Sequence, residues 1–179
     1  MSHSLDFVGL SEQMFSLKHL SSGTKEYCRR SRLAQTDDEF DVWHNYSQRL
    51  RYMVSNDLIV AASKFRVIQD TTVTQVSREF MDDLDLEARV GNPIGSVLIG
   101  DFDLTLRESC NKIIHATTFS LVFQNARNER PRYTYGYWNG ICQLCGSHGK
   151  SMWKVALNVY RWCDAMDYFL EGLQDNVDW

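Results

Sequence analysis

The chain reads as an α+β fold: a predominantly helical bundle around a long helix at about 37–68, with a three-stranded antiparallel meander at about 118–159 before a C-terminal helix. Three observations carry that expectation. Apolar residues keep helical spacing from Phe40 to Ala61. The apolar period drops from about 3.6 to 2 after Ala116 and returns to 3.6 beyond Val159. RVGNPIGSVLIGDFD (Arg89–Asp103), with three glycines and Pro93, is the main break in the helical part.

Residues 1–34 form an N-terminal segment of uncertain order. SLDFVGLSEQMFSLKHL has the apolar positions of a short helix, and SSGTKEYCRRSRLA follows as a polar surface stretch holding Lys25, Arg29, Arg30 and Arg32. At Thr36–Glu39 the residues TDDE make a capping box, with the Thr36 hydroxyl accepting a backbone N–H and Glu39 reaching back. Downstream, Phe40, Trp43, Ser47, Leu50, Val54, Leu58 and Ala61 share one stripe. LIVAA at Leu58–Ala62 has no polar side, which predicts enclosure by neighbours.

A second helix is expected at Val73–Glu87, with Val76, Phe80 and Leu84 inward and Glu79, Asp82, Asp83, Asp85 and Glu87 on a solvated acidic face. RVGNPIGSVLIGDFD is then punctuated by three glycines and Pro93 as a loop, with room for a short strand at Ser96–Ile99. Asp101 or Asp103 is placed to cap a helix at about 104–116. The meander comprises TFSLVFQ, YTYGYWNGICQL and SMWKVALNV, joined by the turn-like NARNERPR and CGSHGK. Trp162, Met166, Phe169 and Leu173 mark the apolar side of the last helix.

Length and composition bound the function classes. A hydrophobic fraction of 44% excludes a disordered or low-complexity chain. Residues 1–179 are long enough for one substantial core and show no linker, so they read as a single domain. A net charge of −4 offers polyanions no global attraction, so a nucleic acid would need a local basic patch. MSHSLDFVGLSEQMF lacks a basic n-region and an apolar h-region, and no apolar run is long enough to span a bilayer. Neither a signal peptide nor a membrane partner is expected. The five cysteines are odd in number and irregularly spaced, which fits a reducing cytoplasm rather than a disulfide framework.

RESCNKIIHA (Arg107–Ala116) holds the chemistry. On a helical wheel with Arg107 at zero, Asn111 falls at about 40° and His115 at about 80°, a slowly winding polar row. Ile114, Cys110, Leu106 and Ile113 cover the adjacent arc, predicting that the row runs along the border of the buried face. Glu108 and Lys112 stand at i,i+4 in the favourable order for an exposed ion pair. Two roles suit the row. Histidine can transfer protons to and from a phosphodiester, arginine can hold its phosphate and asparagine can orient it, without a metal. The same three residues also suit an internal network, with Arg107 paired to a carboxylate of the acidic helix. Cys110 lies about 140° from His115 on the wheel, too far round for a cysteine–histidine pair within the helix.

RESCNKIIHA within a domain of long helices resembles the HEPN superfamily, helical proteins that include RNA-cleaving toxins and defence nucleases. The resemblance implies a composite, metal-independent ribonuclease site formed where two protomers bring an arginine-to-histidine motif together. Carried onto this sequence, Arg107 is the phosphate-binding arginine, Glu108 its polar follower and His115 the catalytic histidine. Asn111, Lys112 and His115 match the ending of such helices. Seven residues intervene between Arg107 and His115, a longer interval than the family's usual one. The implied function is RNA binding or ribonuclease activity as a homodimer, and the alternative is a non-catalytic protein-interaction or regulatory module on the same scaffold.

Two further constellations stand apart. Cys142, Cys145 and His148 have the close pairing of a zinc knuckle, which could hold Zn²⁺, although the two cysteines read first as strand residues beside a tight turn. Arg127, Arg130 and Arg132 beside Tyr135 and its neighbouring aromatics could neutralise and stack single-stranded RNA, or simply line a half-covered strand. GSHGKS lacks the first glycine of a P-loop and precedes a strand, and its GxxG joins strands rather than the helices of a KH domain. Both motifs are excluded.

Overall fold

The computed structural model describes residues 6–34 and 40–176. The capping box at Thr36–Glu39 and the packing of Phe40 lie outside what it describes. In chain order the elements are α1 (Phe7–Arg30), α2 (Phe40–Thr72), α3 (Arg78–Arg89), β1 (Gly95–Ile99), α4 (Leu106–Ile114), β2 (Thr118–Glu129), β3 (Arg132–His148), β4 (Ser151–Asn158) and α5 (Val159–Gln174). The architecture is α+β, as expected. The sheet has four antiparallel strands rather than three, in the order β1-β4-β3-β2, because β1 adds to the outer edge of the meander.

The N-terminal segment is the largest departure from expectation. Phe7–Arg30 is one 24-residue helix, capped by the Asp6 carboxylate, which accepts from the Gly9 N–H at 2.8 Å. Leu10, Met14, Leu17, Thr24 and Cys28 are its buried residues, so the stripe continues beneath the polar stretch. Ser21, Ser22 and Gly23 are weak helix formers and hide that continuity. The basic run is exposed yet engaged. Glu26 pairs with Arg29 and Arg30, Lys25 lies over the Tyr137 ring, and Arg32 lies over Tyr133.

Helix α2 spans about 50 Å at 1.5 Å per residue and forms the spine. Trp43, Leu50, Val54, Leu58 and Ala61 are buried as their spacing predicts. Enclosure of Leu58–Ala62 is incomplete, since Ile59 faces outward, 48% exposed. Helix α3 begins at Arg78 with Ser77 as its cap, later than the sequence suggests. Its acidic face is not wholly solvated: Asp85 is buried, 7% exposed.

The strands run further than their alternation shows. Residues read as links belong to β2 and β3, whose turn occupies only Arg130 and Pro131 between the paired Glu129 and Arg132. Along β3, Trp138 pairs with Phe123 and Cys142 with Leu121, so this strand carries two extra residues there. Gly140, at φ 82°, takes the left-handed turn this requires, and the Trp138 indole N–H closes it on the Ile141 carbonyl at 2.7 Å.

One sheet face, bearing Leu121, Trp138, Cys142, Leu144, Trp153, Val155 and Leu157, joins the apolar sides of α1, α2, α4 and α5 in the main core. Trp162, Met166, Phe169 and Leu173 of α5 are fully buried there, as expected. A second cluster of Cys28, Leu33, Trp43 and Tyr135 ties the α1 and α2 ends to the β2–β3 hairpin. No helix among the described residues is long and apolar enough to cross a membrane.

Candidate functional site

Helix α4 is placed by its neighbours. Its cap is Thr105, whose hydroxyl accepts from the Glu108 N–H at 3.0 Å, rather than Asp101 or Asp103. A second oxygen comes from α3: Asp85 Oδ1 accepts from the Leu106 N–H at 2.6 Å. Leu106, Ser109, Cys110 and Ile113 are buried, whereas Ile114 is exposed. The helix is therefore rotated from the expected arc, toward Ser109, whose hydroxyl accepts from the Trp162 indole N–H at 2.8 Å. That bond satisfies a donor that the core would otherwise orphan. The rotation moves the polar row further from the core.

The row divides between two clefts. Arg107 opens on a cleft of ≈ 590 Å³ beside α2 and α3. Its guanidinium meets Asp70 of α2 at 2.7 Å, both side chains about half exposed, so its partner is not on the acidic α3. Deeper in the same cleft, Arg89 binds Asp85 at 2.8 Å and reaches Asp103 at 3.3 Å. Burial raises the pKa of Asp85, and Arg89 and the Leu106 N–H oppose that shift.

Asn111 and His115 open instead on a cleft of ≈ 930 Å³, together with Lys112, His148, Phe102 and Trp153. His115 is the exposed residue that ends the helix, about 12 Å along the axis from Arg107. The Asn111 amide donates to Glu108 at 3.0 Å, and Lys112 pairs with the other Glu108 oxygen at 2.8 Å. Burial pushes the Glu108 carboxyl up, but these two partners outweigh it and hold the pKa low. The Lys112 ammonium also sits 4.2 Å from the Phe102 ring centre and 4.7 Å from that of Trp153. The Trp153 indole lies flush on Gly146, where an added Cβ would meet it at 2.3 Å. The Thr117 N–H donates to the Cys145 carbonyl at 2.8 Å, which brings the chain after His115 alongside the end of β3.

This assembly unites Asn111 and His115 with His148, which the sequence offered only as a zinc ligand. It separates both from Arg107. Phe102 comes from the loop before α4 and His148 and Trp153 from the β3–β4 hairpin, so only long-range packing brings them to the end of α4.

The remaining candidates fall elsewhere. Arg127, Arg130 and Arg132 are exposed on the β2–β3 hairpin, with no ion pair among the described residues. Tyr135 is only 3% exposed and packs in the second core cluster, so its ring is not free to stack on a base. Cys142 lies in the core while Cys145, three residues on, faces the opposite side of β3, so one ion cannot bridge them. Among the described residues no group of three or more His, Cys, Asp and Glu side chains is arranged to hold a metal. All five cysteines are free, and burial pushes the Cys110 and Cys142 thiols up to about 12. Compared with known protein families, curated proteins and solved structures, the chain gives no match.

Proposed function

We propose that this protein binds RNA as a HEPN-like protein and cleaves it without a metal in the cleft that holds Asn111, His115 and His148. The supporting observation is that both histidines open on one cleft of ≈ 930 Å³, with the Asn111 amide beside them. Cleavage next to a ribose needs one group to take the 2′-hydroxyl proton and another to protonate the departing 5′-oxygen. Imidazoles suit both tasks. The 2′-oxygen attacks phosphorus, a 2′,3′-cyclic phosphate forms and the 5′-hydroxyl leaves, so one imidazole gains a proton and the other gives one up. The exposed Arg127, Arg130 and Arg132 supply phosphate contacts away from the reacting bond. Arg107, at the other end of α4, holds phosphate of the same strand further along or faces a second protomer.

The test is a mixed RNA pool incubated with the wild-type protein, His115→Ala and His148→Ala in the presence of EDTA. Cleavage by the wild type and its loss in both variants is the expected result. Equal absence of cleavage in all three sinks the enzymatic reading.

One observation favours a non-catalytic interaction module. Arg107 is already held by Asp70, and the Asn111 amide by Glu108. That reading predicts unchanged partner binding in His115→Ala.

A further inference from the structure

Helices α1 and α2 run antiparallel, as Lys64–Asp6 at one end and the stacked Tyr27 and Tyr46 rings at the other show. Between them lies a groove of ≈ 540 Å³, within the range of about 300–1,000 Å³ common for small-molecule sites. Its walls are Leu20, Tyr27, Tyr46 and Met53, with Tyr27 56% and Met53 40% exposed. The ionisable groups lining it besides tyrosine are His19 and Arg49, with no carboxylate among them, in a chain of net charge −4. Arg49 makes no ion pair among the described residues, while five other arginines do. His19 uses Nδ1 on the Phe15 carbonyl at 2.9 Å, so Nε2 is not engaged by that bond.

Gly23 is the second, independent observation. It sits inside α1, where glycine costs about 1 kcal/mol against alanine. Its backbone has no positive φ, and nothing lies within 4 Å of the position a Cβ would take. Neither conformation nor packing calls for glycine there. Gly23 lines the groove, and a side chain added there would meet open space.

We propose that this groove binds a small amphipathic anion: an aromatic or aliphatic body on Tyr27, Leu20 and Met53, with a carboxylate or sulfonate on Arg49. The ligand is taken from solution as a free molecule. The site lies apart from the phosphodiester cleft and does not depend on that reading.

The test is fluorescence titration of the full chain with 8-anilinonaphthalene-1-sulfonate, followed by displacement with decanoate. The wild type should bind one probe saturably and release it to decanoate. Arg49→Met should weaken binding about tenfold, the scale of one charge-assisted hydrogen bond. Gly23→Leu should abolish saturable binding while keeping or raising Tm, because it fills the groove and improves the helix. Met53→Trp, from the opposite wall, blocks the groove if Gly23→Leu fails to fold. Unchanged binding in the blocked variant overturns the proposal, as does absence of saturable binding to the wild type. So does sedimentation showing a wild-type dimer that Gly23→Leu converts to monomer, since the occupant is then a second copy.

Discussion

At its N-terminal end α4 meets charges from three other segments: Asp70 on α2, Asp85 and Arg89 on α3, and Asp103 on the preceding loop. At its C-terminal end it meets rings and a turn, Phe102, Trp153 and His148, with a single ion pair formed inside the helix itself. The first end is pinned, with each charge answered and a buried carboxylate closing the helix. The second leaves its histidine at the surface of an open cleft. The polar row that looks uniform in the sequence thus has one end held among charges from other elements and one end open at the surface.

The comparison breaks most sharply at Asp85. Asp85→Ala removes the acceptor of the Leu106 N–H and the nearer partner of Arg89. It should cost about 3 kcal/mol, the scale for breaking a buried pair, read by urea denaturation. A loss below about 1 kcal/mol would mean that the pinned end is not pinned.

Acid titration of stability sharpens the contrast, because the two carboxylates have opposite signs. Glu108 has a depressed pKa when folded, so its contribution is present above its ordinary 4.5 and is lost as pH falls. Asp85 has a raised pKa when folded, so its contribution is greatest below its ordinary 3.8 and is lost as pH rises. Glu108→Gln should therefore flatten the acid limb of a stability–pH curve, and Asp85→Asn should steepen it. Parallel curves for both variants would remove the distinction.

Smaller effects follow at the surface. A double-mutant cycle on Arg107 and Asp70 should return about 0.5 kcal/mol, as for other exposed pairs. His115→Ala should change stability by less than about 0.5 kcal/mol, since the ring is exposed and caps nothing with its side chain. A large drop in Tm for that variant would mean that the histidine is held as firmly as the first end.

Much of the fold was legible in the spacing. The α2 stripe, the α5 stripe and the alternation around Trp153 each matched a buried face, because a single face against one core imposes a strict period. Helix α1 was harder to read because its second half buries Thr24 and Cys28 rather than large aliphatic residues. The strand ends were hidden because polar residues such as Arg127 and Ser147 continue pairing where no core demands alternation. Within the site, Asn111 and His115 stood out as a pair on one helix side. His148 did not join them, since its nearness depends on where β3 ends.

By itself the sequence determined the helical spine, the meander, the last helix and the polar row Arg107–Asn111–His115. All of these arise from interactions within a few residues, where backbone geometry fixes which side chains share a face. Tertiary structure alone decided that α4 turns toward Ser109 and Trp162, that Arg107 finds Asp70, and that Asn111 and His115 share a cleft with His148. Rotation of a helix about its axis is set by packing against other elements, and a row that winds about 80° over about 12 Å then meets different neighbours at its two ends.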